Sequence, residues 1–154
     1  PGELIAWTGR AIGSAEIRYK DLSPDESVVS IKESLYNRDK ALQGGNTLAV
    51  VEGPFDALKL DWYGRDHGLR AVALSTNSLR ESQIYLIAEL AQRYKQVVVM
   101  MDMASKLGIV DSMKIRGKLS VVPNARIVEV PFGCKDAGEL RSDDVWFFAS
   151  GVTQ

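Results

Sequence analysis

The 154-residue sequence has a single cysteine, Cys134, and a single histidine, His67. That inventory excludes an internal disulfide and any Cys- or His-rich zinc site within the chain. A metal here is expected to sit on oxygen ligands, which suits Mg²⁺, Mn²⁺ or Ca²⁺. No apolar run approaches the roughly 20 residues that span a bilayer. The start carries no signal-peptide pattern, so a cytoplasmic chain is expected. No repeat and no low-complexity segment breaks the sequence. A strong charge of either sign is also lacking: 19 Lys and Arg face 20 Asp and Glu, for a net charge of −1. This balance excludes a protein that coats nucleic acid by bulk charge. It leaves room for a local basic groove. Residues 103–120 hold Lys106, Lys114, Arg116 and Lys118 against one acid, Asp111. The first residue is Pro, which reads as a fragment or a processed chain, with other domains expected elsewhere.

Hydrophobic residues make up 45% of the chain, enough for one real core with a small appendage. The best internal break is Gln43-Gly44-Gly45-Asn46. It divides a segment 1–46 from a segment 47–154. The first reads as short strands and turns. Leu4-Ile5-Ala6-Trp7 is strand-like, Thr8-Gly9-Arg10 is turn material, and Glu16-Ile17-Arg18-Tyr19-Lys20 alternates as a half-exposed strand does. Residues 31–42 are expected to be partly helical. After the break, strands are expected at Leu48 to Val51, Leu69 to Leu74, Gln96 to Met101 and Ala125 to Val130. Helices are expected between them: Phe55 to Trp62 with Leu58 on its apolar side, one opening at Ser78 with a capping box to Glu81, and one over about 107–119. A short helix over Asp143 to Ala149 closes the chain. Short apolar strands alternating with helices predict an α/β fold with a parallel sheet covered on both faces. Chemistry in such sheets sits at the carboxyl ends of the strands. Glu52 and Asp102 stand at two of those ends.

The most informative stretch is Val50-Val51-Glu52-Gly53-Pro54-Phe55-Asp56-Ala57-Leu58. A carboxylate follows a buried strand, a Gly-Pro turn follows it, and Asp56 lies in the first turn of the next helix. Free N–H groups at that helix start suit a phosphate. This stretch resembles the first motif of Toprim domains, found in primases, topoisomerases and small nuclease-like proteins. Val97-Val98-Val99-Met100-Met101-Asp102 is similar to their second motif, an apolar strand running into Asp-x-Asp. Gly133-Cys134-Lys135-Asp136-Ala137-Gly138-Glu139-Leu140 resembles the Gly-Lys-Asp-x-x-Glu segment of primases. Upstream, Ala6-Trp7-Thr8-Gly9-Arg10 resembles their aromatic-Gly-Gly-Arg turn. Arg18-Tyr19-Lys20-Asp21-Leu22-Ser23-Pro24 is similar to their Lys-Tyr-x-Asn-Ser-Pro segment, and Glu33-Ser34-Leu35-Tyr36-Asn37 to their Leu-Tyr step. The resemblance covers most of the chain, and these motifs together, in order, are far more specific than the first alone.

The resemblance implies a Toprim-type sheet of about four strands flanked by helices, behind a small α+β N-terminal subdomain. It implies the catalytic core of a bacterial- or phage-type DNA primase, making RNA primers from nucleoside triphosphates on single-stranded DNA with Mg²⁺ or Mn²⁺. Glu52 would be the general acid/base or metal carboxylate, with Asp102 and Asp56 as metal ligands. Arg10, Arg18, Lys20, Lys135 and Asp136 would meet nucleotide or template. Helicase and zinc-binding domains would lie outside the chain. One departure stands out. Asp102-Met103-Ala104 replaces Asp-x-Asp, so a second anionic ligand is missing at Ala104. Two explanations remain open: a naturally degenerate site, or an Asp→Ala change made to trap a substrate. A degenerate module that binds nucleic acid or a partner, and a Toprim nuclease, are the alternative functions. Read without the resemblance, Glu52 and Asp56 are also plausible surface acids. Asp136 and Glu139 also suit a helix N-terminus. Trp7 fits either base stacking or packing, and Trp146-Phe147-Phe148 either seals the core or meets a neighbouring domain.

Overall fold

The computed structural model describes residues 4–14, 16–17, 19–23, 25–76, 79–100 and 117–150. Strand β1 (Thr8–Arg10) pairs antiparallel with β2 (Tyr19–Asp21) as a separate two-stranded sheet. A 3-10 turn (Ile31–Glu33) and the short helix α1 (Arg38–Ala41) lead into the main sheet. Its strands are β3 (Gly45–Val51), β4 (Leu69–Ala73), β5 (Tyr94–Met100) and β6 (Ala125–Val128), in spatial order β4-β3-β5-β6. Every pair is parallel. Helices α2 (Pro54–Gly64) and α3 (Glu81–Ala91) form two of the connections, and α4 (Ser142–Ala149) closes the described chain. The expected sheet of four parallel strands flanked by helices is therefore present.

Alternation along the strands builds two cores from one sheet. Leu48, Val50, Val72, Val97 and Val99 meet Ile84, Ile87 and Leu90 of α3 on one face. Ala49, Val51, Ala71, Ala73, Val98 and Met100 meet Ala57 and Leu60 of α2 and Val145 and Phe148 of α4 on the other. Covered on both sides, the central strands must be apolar at every position, which is why they read as unbroken runs. Leu35 and Ala41 of the first segment join the α3 core, and Tyr36 exchanges backbone hydrogen bonds with Ala73.

Several local expectations change. Thr8-Gly9-Arg10 is a strand rather than a turn, and residues 4–7 are not a strand. Gly9 lowers strand propensity, but three cross-strand partners override it. The second strand begins at Tyr19, not Glu16. Leu58 is 44% exposed, because α2 buries Ala57, Leu60 and Gly64 and Leu58 stands one step around from that face. The third helix opens at Glu81. Leu79 is buried, its carbonyl accepts from Lys118 Nζ at 2.7 Å, and Arg80 stays extended. The box is closed by Gln83 Oε1, which accepts from the Arg80 N–H at 3.2 Å. Residues 117–119 are helical; the rest of the expected 107–119 helix lies outside the described residues. In α4 the mixed aromatic run divides: Phe148 is buried, whereas Trp146 and Phe147 are about half exposed.

Tyr94 gives the fold a pH dependence. Its hydroxyl donates to the Ala41 carbonyl. Burial pushes its phenol up from 10.0 to about 12, since a phenolate there would lose hydration. Between those values the folded chain holds a proton that the unfolded chain has released, so stability falls as pH rises. Below about pH 10 this contribution is fully present. In urea titrations at about pH 9 and about pH 11.5, wild type is expected to lose more stability than Tyr94→Phe. Equal losses would remove Tyr94 from the account.

Candidate active site

The carboxyl ends of β3 and β4 stay together past the ladder. Leu74 N–H donates to the Val51 carbonyl and Ser75 N–H to the Glu52 carbonyl, both at 3.0 Å. This continuation sets Glu52 and Ser75 side by side at the sheet edge. Pro54 then occupies the first turn of α2, where its missing N–H costs nothing. An open cleft of about 460 Å³ lies here, lined by Thr8, Arg10 and Asp21 of the hairpin, the 52–56 stretch, Ser75, Thr76, Lys135 and Asp136.

The hairpin reaches the cleft with one face only. Thr8 pairs with Asp21 and Arg10 with Tyr19, while Gly9 pairs with Lys20. Alternation places Thr8, Arg10 and Asp21 on the cleft side and Lys20 on the other. Lys20 is thus not brought into the cleft. The Arg10 guanidinium lies 4.9 Å from the centroid of the Phe55 ring. This cation–π contact is worth about 0.5–1 kcal/mol at an exposed site and ties the hairpin to the start of α2.

The far wall is a self-capping turn. Asp136 Oδ1 accepts from the Glu139 N–H at 3.0 Å, and Glu139 Oε2 accepts from the Lys135 N–H at 2.8 Å. Asp136 and Glu139 therefore cap the 3-10 turn Ala137–Glu139, with Asp136 also facing the cleft. Helix α2 grips this turn: Lys59 Nζ donates to the Gly138 carbonyl at 2.6 Å. Asp56 is wedged between two glycines. A Cβ added at Gly53 would lie 2.7 Å from Asp56 Oδ2, and one at Gly138 would lie 2.6 Å from Asp56 Oδ1. Any larger residue at either place would displace the carboxylate.

Of the residues singled out in the sequence, Arg10, Glu52, Asp56, Lys135 and Asp136 share this cleft. Arg18, Asp102 and Ala104 lie outside the described residues. Thr8, Asp21, Phe55, Ser75 and Thr76 line the cleft without having been singled out. The signal for Ser75 and Thr76 was available: they follow the second apolar strand at its carboxyl end. Trp7 lines a different, larger groove of about 960 Å³, bounded also by Leu4, Ile5, Tyr85 and Leu86.

Four carboxylates and two cations line the cleft: Asp21, Glu52, Asp56 and Asp136 against Arg10 and Lys135. An all-oxygen donor set fits Mg²⁺ or Mn²⁺. Among the described residues no three acids, His or Cys converge to hold an ion alone. Mg²⁺ does not require that, because it commonly takes one or two carboxylates, water and substrate phosphates. Glu52 with one further acid would suffice. No described helix is long and apolar enough to cross a membrane.

No protein-family model matches the chain, and no curated protein matches it. Solved structures do. The RNA polymerase domain of Mycobacterium tuberculosis primase DnaG aligns over 98% of this chain and 52% of its own, with a TM-score of 0.70 at 17% identity. The Aquifex aeolicus primase, with its zinc-binding and RNA polymerase domains, aligns over 97% of this chain and 35% of its own, at 0.64 and 24% identity. The primase fragment of the bacteriophage T7 primase-helicase aligns over 79% of this chain and 50% of its own, at 0.56 and 23% identity. The chain thus spans about half the length of the first structure. Its fold is that of the primase RNA polymerase domains.

Proposed function

We propose that this chain is the catalytic core of a DNA primase, a nucleotidyltransferase that joins nucleoside triphosphates into an RNA primer on single-stranded DNA. The observation that carries the reading is the cleft itself: Glu52, at a parallel-strand end, lines one opening with Arg10 and Lys135, within a primase-type fold. Phosphoryl transfer asks a protein mainly for positioning and charge neutralisation. Glu52 and Asp102 would hold Mg²⁺ or Mn²⁺, whose charge would offset that of the phosphates and the developing leaving group. Arg10 and Lys135 would orient phosphate oxygens. Acids outnumber bases in the cleft, so a naked triphosphate is repelled and binding is expected to require the divalent ion. Asp56, held between Gly53 and Gly138, braces the wall that carries Lys135. Lys20, on the other face of the hairpin, is left to template contacts, and Arg18 would share that role.

Template DNA is the expected partner. A crystal structure of the Mycobacterium tuberculosis RNA polymerase domain contains double-stranded DNA. By the same reading, helicase and zinc-binding domains lie beyond this chain, and the location is cytoplasmic. The second reading, a Toprim module that binds without polymerising, is favoured by one feature: Ala104 stands where Asp-x-Asp would have its second acid.

Calorimetric titration of Mn²⁺ with nucleoside triphosphate present, on this chain and on Ala104→Asp, separates the two. An added anionic ligand is expected to tighten metal binding about tenfold, in line with one extra charge in a partly screened site. Primer synthesis on added template should accompany it. If neither chain binds metal or nucleotide, the catalytic reading is wrong and the binding module replaces it.

A further inference from the structure

Ser75 is built against its own structural interest. It holds a left-handed backbone, with φ of 56°, a conformation that glycine adopts freely and serine does not. Its Oγ is buried and makes no hydrogen bond among the described residues, a state shared there only by Arg38 Nε. Arg38 differs, since its guanidinium pairs with Glu89 at 2.8 Å. A buried orphan hydroxyl is itself destabilising. Two separate costs therefore meet at one residue. That residue lines the cleft, and its N–H is bonded to the Glu52 carbonyl. Strain and unsatisfied polar groups that coincide at a site point to a ligand.

We infer that Ser75 is a ligand-contacting residue whose hydroxyl donates a hydrogen bond to a phosphate oxygen of a polyphosphate bound in the cleft. This rests on the phosphoryl-transfer reading of the cleft. The chemistry favours phosphate over other partners. Arg10 and Lys135 already draw an anion into the opening, while the four acids there repel it. A neutral donor beside Glu52 gains a contact with the anion without altering the charges that hold a metal. The Oγ is buried in the empty cleft, so the contact requires the side chain to turn about Cα–Cβ toward the opening, from one staggered rotamer to another. Glycine at position 75 would satisfy the backbone and remove the orphan group. The serine costs stability in the empty cleft and offers its only gain when the cleft is filled.

The test compares the full chain with Ser75→Gly and Ser75→Ala. Calorimetry measures Mn²⁺ alone, then ATP and inorganic pyrophosphate with Mn²⁺. Thermal melting is recorded without ligand. Both variants are expected to bind ATP and pyrophosphate about tenfold more weakly, consistent with one lost hydrogen bond to a charged group, with Mn²⁺ binding alone unchanged. Ser75→Gly is expected to melt a few degrees higher than wild type, as relief of a left-handed serine predicts. Ser75→Ala, which keeps the strain, should not gain as much. Unaltered ATP and pyrophosphate binding in both variants would overturn the role of Ser75 and leave the cleft reading standing. Weaker binding in Ser75→Gly but not in Ser75→Ala would overturn the role of the hydroxyl and assign the effect to the backbone. If wild type binds neither probe with Mn²⁺, both the cleft reading and this one fail.

Discussion

Glu52→Gln is expected to lower metal-dependent nucleotidyl transfer by about 10²–10⁴-fold, the range seen when a positioned acid–base group is lost. The substitution keeps the size of the side chain and removes its charge. Glutamine is a poor ligand for a hard divalent cation and cannot exchange a proton in this range. Mn²⁺ affinity should fall with the rate. The fold should survive, because the contact that sets this corner is made by the Glu52 main-chain carbonyl with Ser75 N–H. That bond does not depend on the side chain. The residue also sits beyond β3 rather than within its ladder. Turnover and melting temperature, measured together on this chain and in the Ala104→Asp background, give the answer. Full turnover with an unchanged melt would remove Glu52 from the site. A large fall in melting temperature would mean that the carboxylate supports structure first.

The sheet and its order of elements were legible because a strand buried on both faces needs apolar residues throughout. Val97 to Met100 and Leu48 to Val51 leave no other reading. The acid at the end of β3 was legible for a related reason: a carboxylate directly after such a run has no place in the core. What failed depended on pairing partners that a sequence does not display. Gly9 suggested a turn, yet β1 is held by its register with β2. That same register decides which basic residues enter the cleft. Arg10 and Lys20 look alike as candidates, and only the pairing of Lys20 with Gly9 turns it to the other face. Leu58 looked like a core residue because α2 has apolar side chains around much of its surface, and only contact with the sheet selects Ala57 and Leu60. The coupling of Asp56 to Gly138 crosses more than 80 residues of chain, beyond any local pattern. Asp102 and Ala104 lie outside the described residues.

Gln83→Leu is expected to destabilise the chain by about 2–5 kcal/mol, from two or three groups left unpaired at roughly 1–3 kcal/mol each. Gln83 is fully buried, one of two buried polar residues among those described, with Thr47. Its Nε2 donates to the carbonyls of Ser34 and Leu74, each at 2.9 Å. Its Oε1 accepts from Arg80 N–H. One amide thus ties the first segment, the end of β4 and the start of α3 into one corner. Leucine has similar volume, so the loss would come from the orphaned carbonyls and N–H rather than from a cavity. Gln83→Glu makes the sharper comparison. At neutral pH a buried carboxylate would face two carbonyl oxygens, and it should be worse than leucine. Burial raises that carboxyl above the usual carboxylate range, so acidification down to that range would restore one donor, and the gap should narrow. Urea unfolding of the three proteins at neutral and acidic pH measures this directly. The consequence extends to the cleft, since Leu74 immediately precedes Ser75. Binding of pyrophosphate with Mn²⁺ should weaken in Gln83→Leu even under conditions where it remains folded. If unfolding free energies match wild type within about 0.5 kcal/mol, the range of a neutral surface change, Gln83 does not hold this corner, and the position of Ser75 must be set by the β3–β4 bonds alone.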